Sequence, residues 1–121
     1  MNTIIRDALV HLPSDASDFE KARALLSDPA RWTTGAFARR ADGLFCYEHD
    51  ADAVCWCALG ALVAVKPHSV INAHGRINNM EFATLLRHCI DGNPAQFNDT
   101  REHCDILEWF DAIIKEEKSK C

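Results

Sequence analysis

The stretch AVCWCALGAL, residues 53–62, decides the fold. It begins an apolar run of thirteen residues that reaches Val65 without a charge. A membrane-spanning helix needs about 20 apolar residues, so this run is too short to cross a bilayer. We predict instead a helix over residues 53–65 that other elements cover on most sides, because it has no polar face. One aspartate of the preceding loop, Asp50 or Asp52, is expected to cap it.

Amphipathic patterns predict four further helices around this central one. In a capping box, a side-chain oxygen and a glutamate three residues later satisfy free backbone N–H groups at the start of a helix. Three such pairs occur, at Ser17 and Glu20, Asn78 and Glu81, and Asp99 and Glu102. The four predicted helices cover residues 2–11, 18–27, 78–90 and 99–117.

Residues 35–47, GAFARRADGLFCY, predict a β-hairpin, because Asp42-Gly43 is a strong turn sequence between two short apolar runs. The predicted fold class is therefore mainly α (α+β), with about five helices packed round a central apolar helix and one β-hairpin. We expect one globular domain over residues 1–118 and a frayed tail at 119–121.

Net charge, the N-terminal sequence and the cysteines each bear on which functions and locations we expect. The chain has 121 residues and a net charge of −5, which argues against non-specific nucleic-acid binding, since that needs clustered lysine and arginine. The N-terminus shows no basic segment followed by a long apolar core, so we expect no signal peptide and a cytoplasmic location. The six cysteines are then expected as free thiols in a reducing compartment. We expect no membrane association.

Three segments resemble a family of short, uncharacterised proteins of actinobacteria, other bacteria and phages: WTTGAFARRADG at 32–43, CWCALGAL at 55–62 and FNDT at 97–100. A looser resemblance is to phage proteins with a Cys-Cys-Leu-Gly segment and a later Asn-Asp helix start. The resemblance covers roughly residues 20–118 by pattern. It implies a shared fold and a mobile-element setting, and it carries no catalytic assignment.

One candidate chemistry is a thiol nucleophile. Cys57 would lie in the first turn of a helix that began near Trp56, where the partial positive charge of the helix end favours a thiolate. His74, or else His68, could act as base, and Asp99 could orient it. Two observations weigh against this triad: the chain offers only one hairpin to hold a histidine, and Asp99 is already predicted to cap a helix.

A second candidate is a zinc site formed by Cys46, His49, Cys55 and Cys57, because zinc prefers tetrahedral sulfur and nitrogen ligands. In a helix, however, residues two apart differ by about 200° around the axis. Cys55 and Cys57 could therefore share one ion only in an extended segment. We expect no metal or other cofactor.

Four residues are candidates for binding without chemistry. Asn98 is either a helix cap or a buried amide that reaches back to the CWCALG segment and fixes a pocket. Trp109 lies near the edge of the apolar stripe of the last helix and could anchor a partner. Glu48 and Asp50 could present negative charge to a basic partner.

The leading hypothesis is a non-enzymatic accessory protein of a phage or related element. It would bind a host protein, for example a defence or regulatory factor that it inhibits, or a small ligand in a cleft beside the hairpin and residues 66–78. The alternatives are a cysteine-dependent hydrolase or transferase that uses Cys57, and a small zinc-binding domain. The sequence does not give the oligomeric state.

Overall fold

The computed structural model describes residues 2–66, 79–89 and 92–119. Within these ranges the fold is mainly α, with six α-helices and one two-stranded antiparallel sheet, which confirms the predicted class. A short 3-10 turn lies at Pro29–Arg31. The helices are α1 Thr3–Leu9, α2 Asp18–Leu25, α3 Ala58–Ala64, α4 Asn79–Arg87, α5 Pro94–Thr100 and α6 His103–Ser119; the strands are β1 Ala38–Arg40 and β2 Ala53–Trp56.

The second helix begins where the capping pattern predicts, and the first begins within one residue of its predicted start. The Asn2 side chain accepts a hydrogen bond from the Ile5 N–H at 3.1 Å and caps α1. At the start of α2 the Ser17 hydroxyl accepts from the Glu20 N–H, and the Glu20 carboxylate accepts from the Ser17 N–H. This reciprocal pair is the predicted capping box, and it fixes the direction in which α2 enters the core.

The apolar run is divided between a strand and a helix, so the prediction of one helix over residues 53–65 is wrong at its start. Ala53–Trp56 forms β2 and pairs with β1, with Cys55 opposite Arg39. Cys57 is the N-cap of α3, and neither Asp50 nor Asp52 caps that helix. The physical reason is that β1 satisfies the backbone groups of β2, and such a non-local partner leaves no trace in a periodic pattern.

The helical part of the run is buried as predicted. All seven residues of α3 are buried, and the helix contacts α2, α5 and β2. None of the helices in the described ranges is long and apolar enough to cross a membrane. Several of the largest fully buried side chains belong to the same core cluster as α3, among them Leu62 of α3 itself: Trp56, Phe110, Leu25, Leu26, Leu62, Leu85, Ile106 and Ile113.

The predicted hairpin turn forms, although its return arm is short. Gly43 has a φ of +88°, and the Asp42 carboxylate accepts a hydrogen bond from the Leu44 N–H at 3.0 Å. Only Phe45 forms a bridge to Arg39 on this side, so the longer partner of β1 is β2. The sheet therefore joins the turn segment to the start of α3.

The C-terminal part contains one more helix than predicted. Asn93 caps α5 by accepting from the Gln96 N–H at 2.9 Å, and Pro94 fills the first helical position, where its missing N–H is harmless. Asp99 therefore lies in the last turn of α5, and the predicted capping box with Glu102 is wrong. The helix α6 ends at Ser119, the first residue of the predicted tail; residues 120–121, like Asn78, lie outside the described ranges.

Candidate binding cleft

A cleft of about 400 Å³ opens between the hairpin side of the sheet, the start of α3 and one side of α5. Four segments that are distant in sequence form its walls, and β1 and β2 hold two of them together. The cleft is mostly apolar. The described residues that line it are Gly35, Ala36, Phe37, Phe45, Cys46, Cys57, Leu59, Ala95, Asn98 and Asp99.

Large apolar side chains stand exposed at and beside the cleft. Phe37 and Phe45 line it, with 56% and 78% of their surface exposed, although side chains of this type are usually buried. Leu44 and Tyr47 flank Phe45 in sequence and are 62% and 83% exposed. We call these four residues the aromatic face. The fold leaves this apolar surface uncovered by any described residue.

Asn98 is 1% exposed and links its own helix, α5, to residues 32–33 and to the start of α3. Its Oδ1 accepts from the Trp32 Nε1–H at 2.8 Å and from the Ala58 N–H, in the first turn of α3, at 3.0 Å. Its Nδ2 donates to the Thr33 carbonyl and to the Asp99 carboxylate, both at 3.1 Å. Two donors meet its oxygen and two acceptors meet its nitrogen, which fixes the orientation of the amide. The amide fixes α5 against α3.

Asp99 lies at the polar edge of the cleft. Its Oδ1 accepts from the Gly35 N–H at 3.0 Å as well as from Asn98. Gly35 has a φ of +78°, a conformation that side chains beyond glycine rarely adopt, so the turn that presents this N–H requires glycine. The Asp99 side chain is exposed, and its Oδ2 bonds to none of the described residues. One carboxylate oxygen is held and the other is available to a ligand.

Cys57 contributes a sulfur that is already engaged. As N-cap of α3, its Sγ accepts from the Gly60 N–H at 3.3 Å. Burial raises the pKa of the Cys57 thiol to about 11, although this hydrogen bond acts in the opposite direction. The neutral thiol therefore dominates at neutral pH, and only a small fraction of Cys57 is nucleophilic.

A family model described as "Family of unknown function (DUF6197)" matches residues 11–116. The chain belongs to this family. The match includes every segment of the cleft and omits α1. Comparison with curated proteins and with solved structures found no match.

The DUF6197 chain brings together two members of the predicted triad. Cys57 and Asp99 line the same cleft, and Cys57 stands at a helix start, as that hypothesis required. The candidate bases His74 and His68 lie outside the described residues. Asp99 contacts Gly35 and Asn98.

Of the four predicted zinc ligands, Cys46 and Cys57 line the same cleft, and His49 and Cys55 are not among its lining residues. His49 places its Nε2 at 3.0 Å from the Lys66 carbonyl, and Cys55 lies within β2. Cys46 lines the cleft, and burial, reinforced by the charge of Asp50, raises its pKa. Across the described ranges, no group of three or more histidine, cysteine, aspartate or glutamate side chains is placed to hold a metal ion.

The other predicted binding residues differ in burial and in what they contact. Asn98 reaches back to the CWCALG segment through Ala58, so the pocket-fixing alternative describes its geometry better than the capping of α6. Trp109 is 4% exposed and donates to the Leu85 carbonyl at 3.3 Å, which leaves little surface for a partner. The Glu48 carbonyl accepts from the Trp56 indole, and the Asp50 carboxylate pairs with Arg40 at 3.0 Å.

Sequence reasoning missed Phe37 and Phe45 as functional candidates. Both occur in short apolar runs beside Asp42-Gly43, and such runs normally indicate strand positions that are half buried. The available clue was that two apolar runs flank a turn in a small domain whose core the helices already fill. The structure shows that these side chains belong to the surface.

Proposed function

We propose that the protein is a non-enzymatic binding protein that docks a partner protein on the aromatic face, with the cleft receiving one side chain of that partner. The observation that carries this proposal is the exposure of Phe37, Leu44, Phe45 and Tyr47 together. Aromatic side chains are enriched at the centres of protein interfaces, where they supply large contact area at low entropic cost. Single exposed apolar residues are ordinary, but four of them within residues 37–47, two of which line a cleft, support an interaction site there.

The contacts that hold the walls of the cleft in place support the same proposal. A site binds more tightly when its geometry exists before the partner arrives, since less ordering is then needed. Asn98 with its four hydrogen bonds, and Gly60, which packs directly on the Phe37 backbone, hold the cleft in shape.

The biological setting is part of the proposal. The resemblance of residues 32–43 and 55–62 to phage and bacterial proteins supports a mobile-element accessory protein in the cytoplasm whose partner is a host protein. Inhibition of a defence or regulatory factor is the concrete form that we propose. A small molecule is the alternative occupant, because small-ligand pockets commonly have volumes of about 300–1,000 Å³.

The test compares matched surface variants in a pull-down from the native host. Phe45→Ser with Tyr47→Ser removes two exposed aromatic rings, and because both are largely solvated we expect unfolding free energy to change by less than about 0.5 kcal/mol. Val10→Ser, at the end of α1, is the control, since Val10 is 65% exposed and lies outside the aromatic face. The proposal requires that a captured protein be lost with the double variant and retained with the control. A partner that both variants retain equally would refute it.

A cysteine-dependent enzyme is the second candidate, favoured by one observation: Cys57 and Asp99 line the same cleft. The raised pKa of Cys57 opposes it. Iodoacetamide labelling at pH 6 decides between them, with the exposed Cys104 as the internal reference. We expect Cys57 to react far more slowly than Cys104; faster, selective labelling of Cys57 would support the enzyme and contradict a purely binding role.

A further inference from the structure

We infer that the cleft is selective for a basic side chain, a lysine or an arginine of the partner protein, whose charged end meets Asp99. This inference rests on the proposed function, since it specifies which residue of the partner enters the cleft. Three independent features carry it: a carboxylate held in position, aromatic rings at the rim, and a lining without positive charge.

The carboxylate is oriented before a ligand arrives. Gly35 and Asn98 both donate to the Asp99 Oδ1, which fixes the plane of the group, while Oδ2 bonds to none of the described residues. Across these residues Asp99 also forms no ion pair. A carboxylate with one bound and one available oxygen is an acceptor for the N–H groups of an ammonium or a guanidinium.

Aromatic rings suit the rest of such a side chain. Lysine and arginine have apolar stems that pack on hydrophobic surface while the charged end stays near water. Phe37 and Phe45 offer that surface at the rim, and a cation over the face of a ring is also attracted by its electron cloud. A neutral apolar side chain would fit the rings equally well and would leave Asp99 without a partner.

The charge balance of the site favours a cation. Of the described residues that line the cleft, none is basic, and Asp99 is acidic. Burial is the main cause of the raised pKa of the Cys57 thiol, and the negative charge of Asp99 acts in the same direction. Arg39 packs close to Gly35, but its guanidinium donates to the neutral oxygens of Thr33, Thr34 and Gly43. Arg39 therefore forms no ion pair with Asp99.

Matched tripeptides test the inference. Acetyl-Gly-Arg-Gly-amide is compared with the citrulline peptide, which has nearly the same shape but no charge, and with the lysine and glutamate peptides. Binding is followed at millimolar concentrations by backbone amide chemical shifts, with the Gly35 and Ala58 amides as reporters of the cleft. We expect the arginine and lysine peptides to bind about three- to ten-fold more tightly than the citrulline peptide, and the glutamate peptide to bind weakest.

Two variants separate the role of Asp99 from the general charge of the protein. Asp99→Asn keeps an oxygen for the Gly35 N–H and removes the charge, so it should abolish the preference for arginine over citrulline. Asp52→Asn removes one charge from an exposed loop and should leave the preference unchanged.

Each outcome has a distinct meaning. Equal binding of arginine and citrulline peptides at the cleft would refute the cationic preference while leaving the docking site intact. If no peptide shifts the reporter amides, both the inference and the proposed function of the cleft fail. If free butylguanidinium binds as tightly as the arginine peptide, the occupant is a small organic cation and the assignment to a protein side chain is overturned.

Discussion

Replacing Gly60 by alanine tests the close approach on which the shape of the cleft depends. Alanine inside a helix is normally more favourable than glycine by about 1 kcal/mol. In α3 the added Cβ would lie 1.9 Å from the Phe37 carbonyl oxygen and 2.8 Å from its carbon. Both atoms belong to the backbone, so no rotation of a side chain can relieve the overlap.

The cost follows from what must move. A distance of 3.0 Å between the added Cβ and the Phe37 oxygen would already be unusually short. To reach it, the oxygen would have to move by 3.0 − 1.9 = 1.1 Å. That oxygen accepts a hydrogen bond from the Cys57 N–H at 3.2 Å, which the retreat would stretch or break. An unmet buried donor costs about 1–3 kcal/mol, and overpacking costs about 1–3 kcal/mol more. After subtracting the helix preference of about 1 kcal/mol, we expect Gly60→Ala to destabilise the fold by about 1–5 kcal/mol.

Urea unfolding followed by tryptophan fluorescence measures this loss, and the double variant provides the control. Phe37→Ala removes only a half-exposed ring, so it should cost little by itself. Because the overlap involves the Phe37 backbone, the two substitutions should be additive to within about 0.5 kcal/mol. A neutral or stabilising Gly60→Ala would refute the close approach, and rescue by Phe37→Ala would show that the side chain was the obstacle.

Three further predictions concern buried polar groups. Asn98→Ala should lower the unfolding free energy by about 2–4 kcal/mol in chemical denaturation, because the Ala58 N–H and other groups lose their partner. Asn98→Asp keeps the acceptor oxygen but replaces the Nδ2 donor, so it should also destabilise the fold. The Lys66 ammonium contacts the carboxylates of Asp18 at 3.2 Å and Glu81 at 2.5 Å. Replacing Lys66 by methionine should therefore lower the unfolding free energy by about 3–5 kcal/mol, and adding Glu81→Leu should restore much of that loss. Because burial raises the pKa of Cys57 from 9.0 to about 11, the stability due to its neutral thiol should persist below pH 9 and fall by about 2–3 kcal/mol as the pH rises to 11. Cys57→Ser, which keeps a capping oxygen, should not show this decline in a pH series of melting curves; parallel curves for the two proteins would contradict the assigned pKa.

Local capping chemistry explains which parts of the fold the sequence predicted correctly. Ser17 and Glu20 are three residues apart, so the interaction that starts α2 depends on nothing distant. The same pattern at Asp99 and Glu102 failed because Asn93-Pro94 starts a helix earlier, and α5 then places Asp99 in its last turn. Competing local signals of similar strength cannot be ranked from a pattern alone.

The strand β2 and the cleft could not be predicted for a different reason. An apolar stretch such as Ala53–Trp56 suits a buried helix and a buried strand equally, and its pairing with Arg39 decides between them. The cleft depends on contacts such as that between Asn98 and Trp32, which are 66 positions apart. The sequence pointed to Cys57, Asn98 and Asp99 for separate reasons, and their common location in one cleft required the three-dimensional structure.

The arrangement around Asn98 has a consequence for how the family can vary. Glutamine would place the amide one carbon too far from the Ala58 N–H, and leucine would offer it no acceptor. The indole N–H of Trp32 donates a second hydrogen bond to the same Asn98 oxygen. A relative with phenylalanine at position 32 has no such N–H group, so more types of residue can be accommodated at position 98. The two positions should therefore change together during evolution, although they are far apart in the chain.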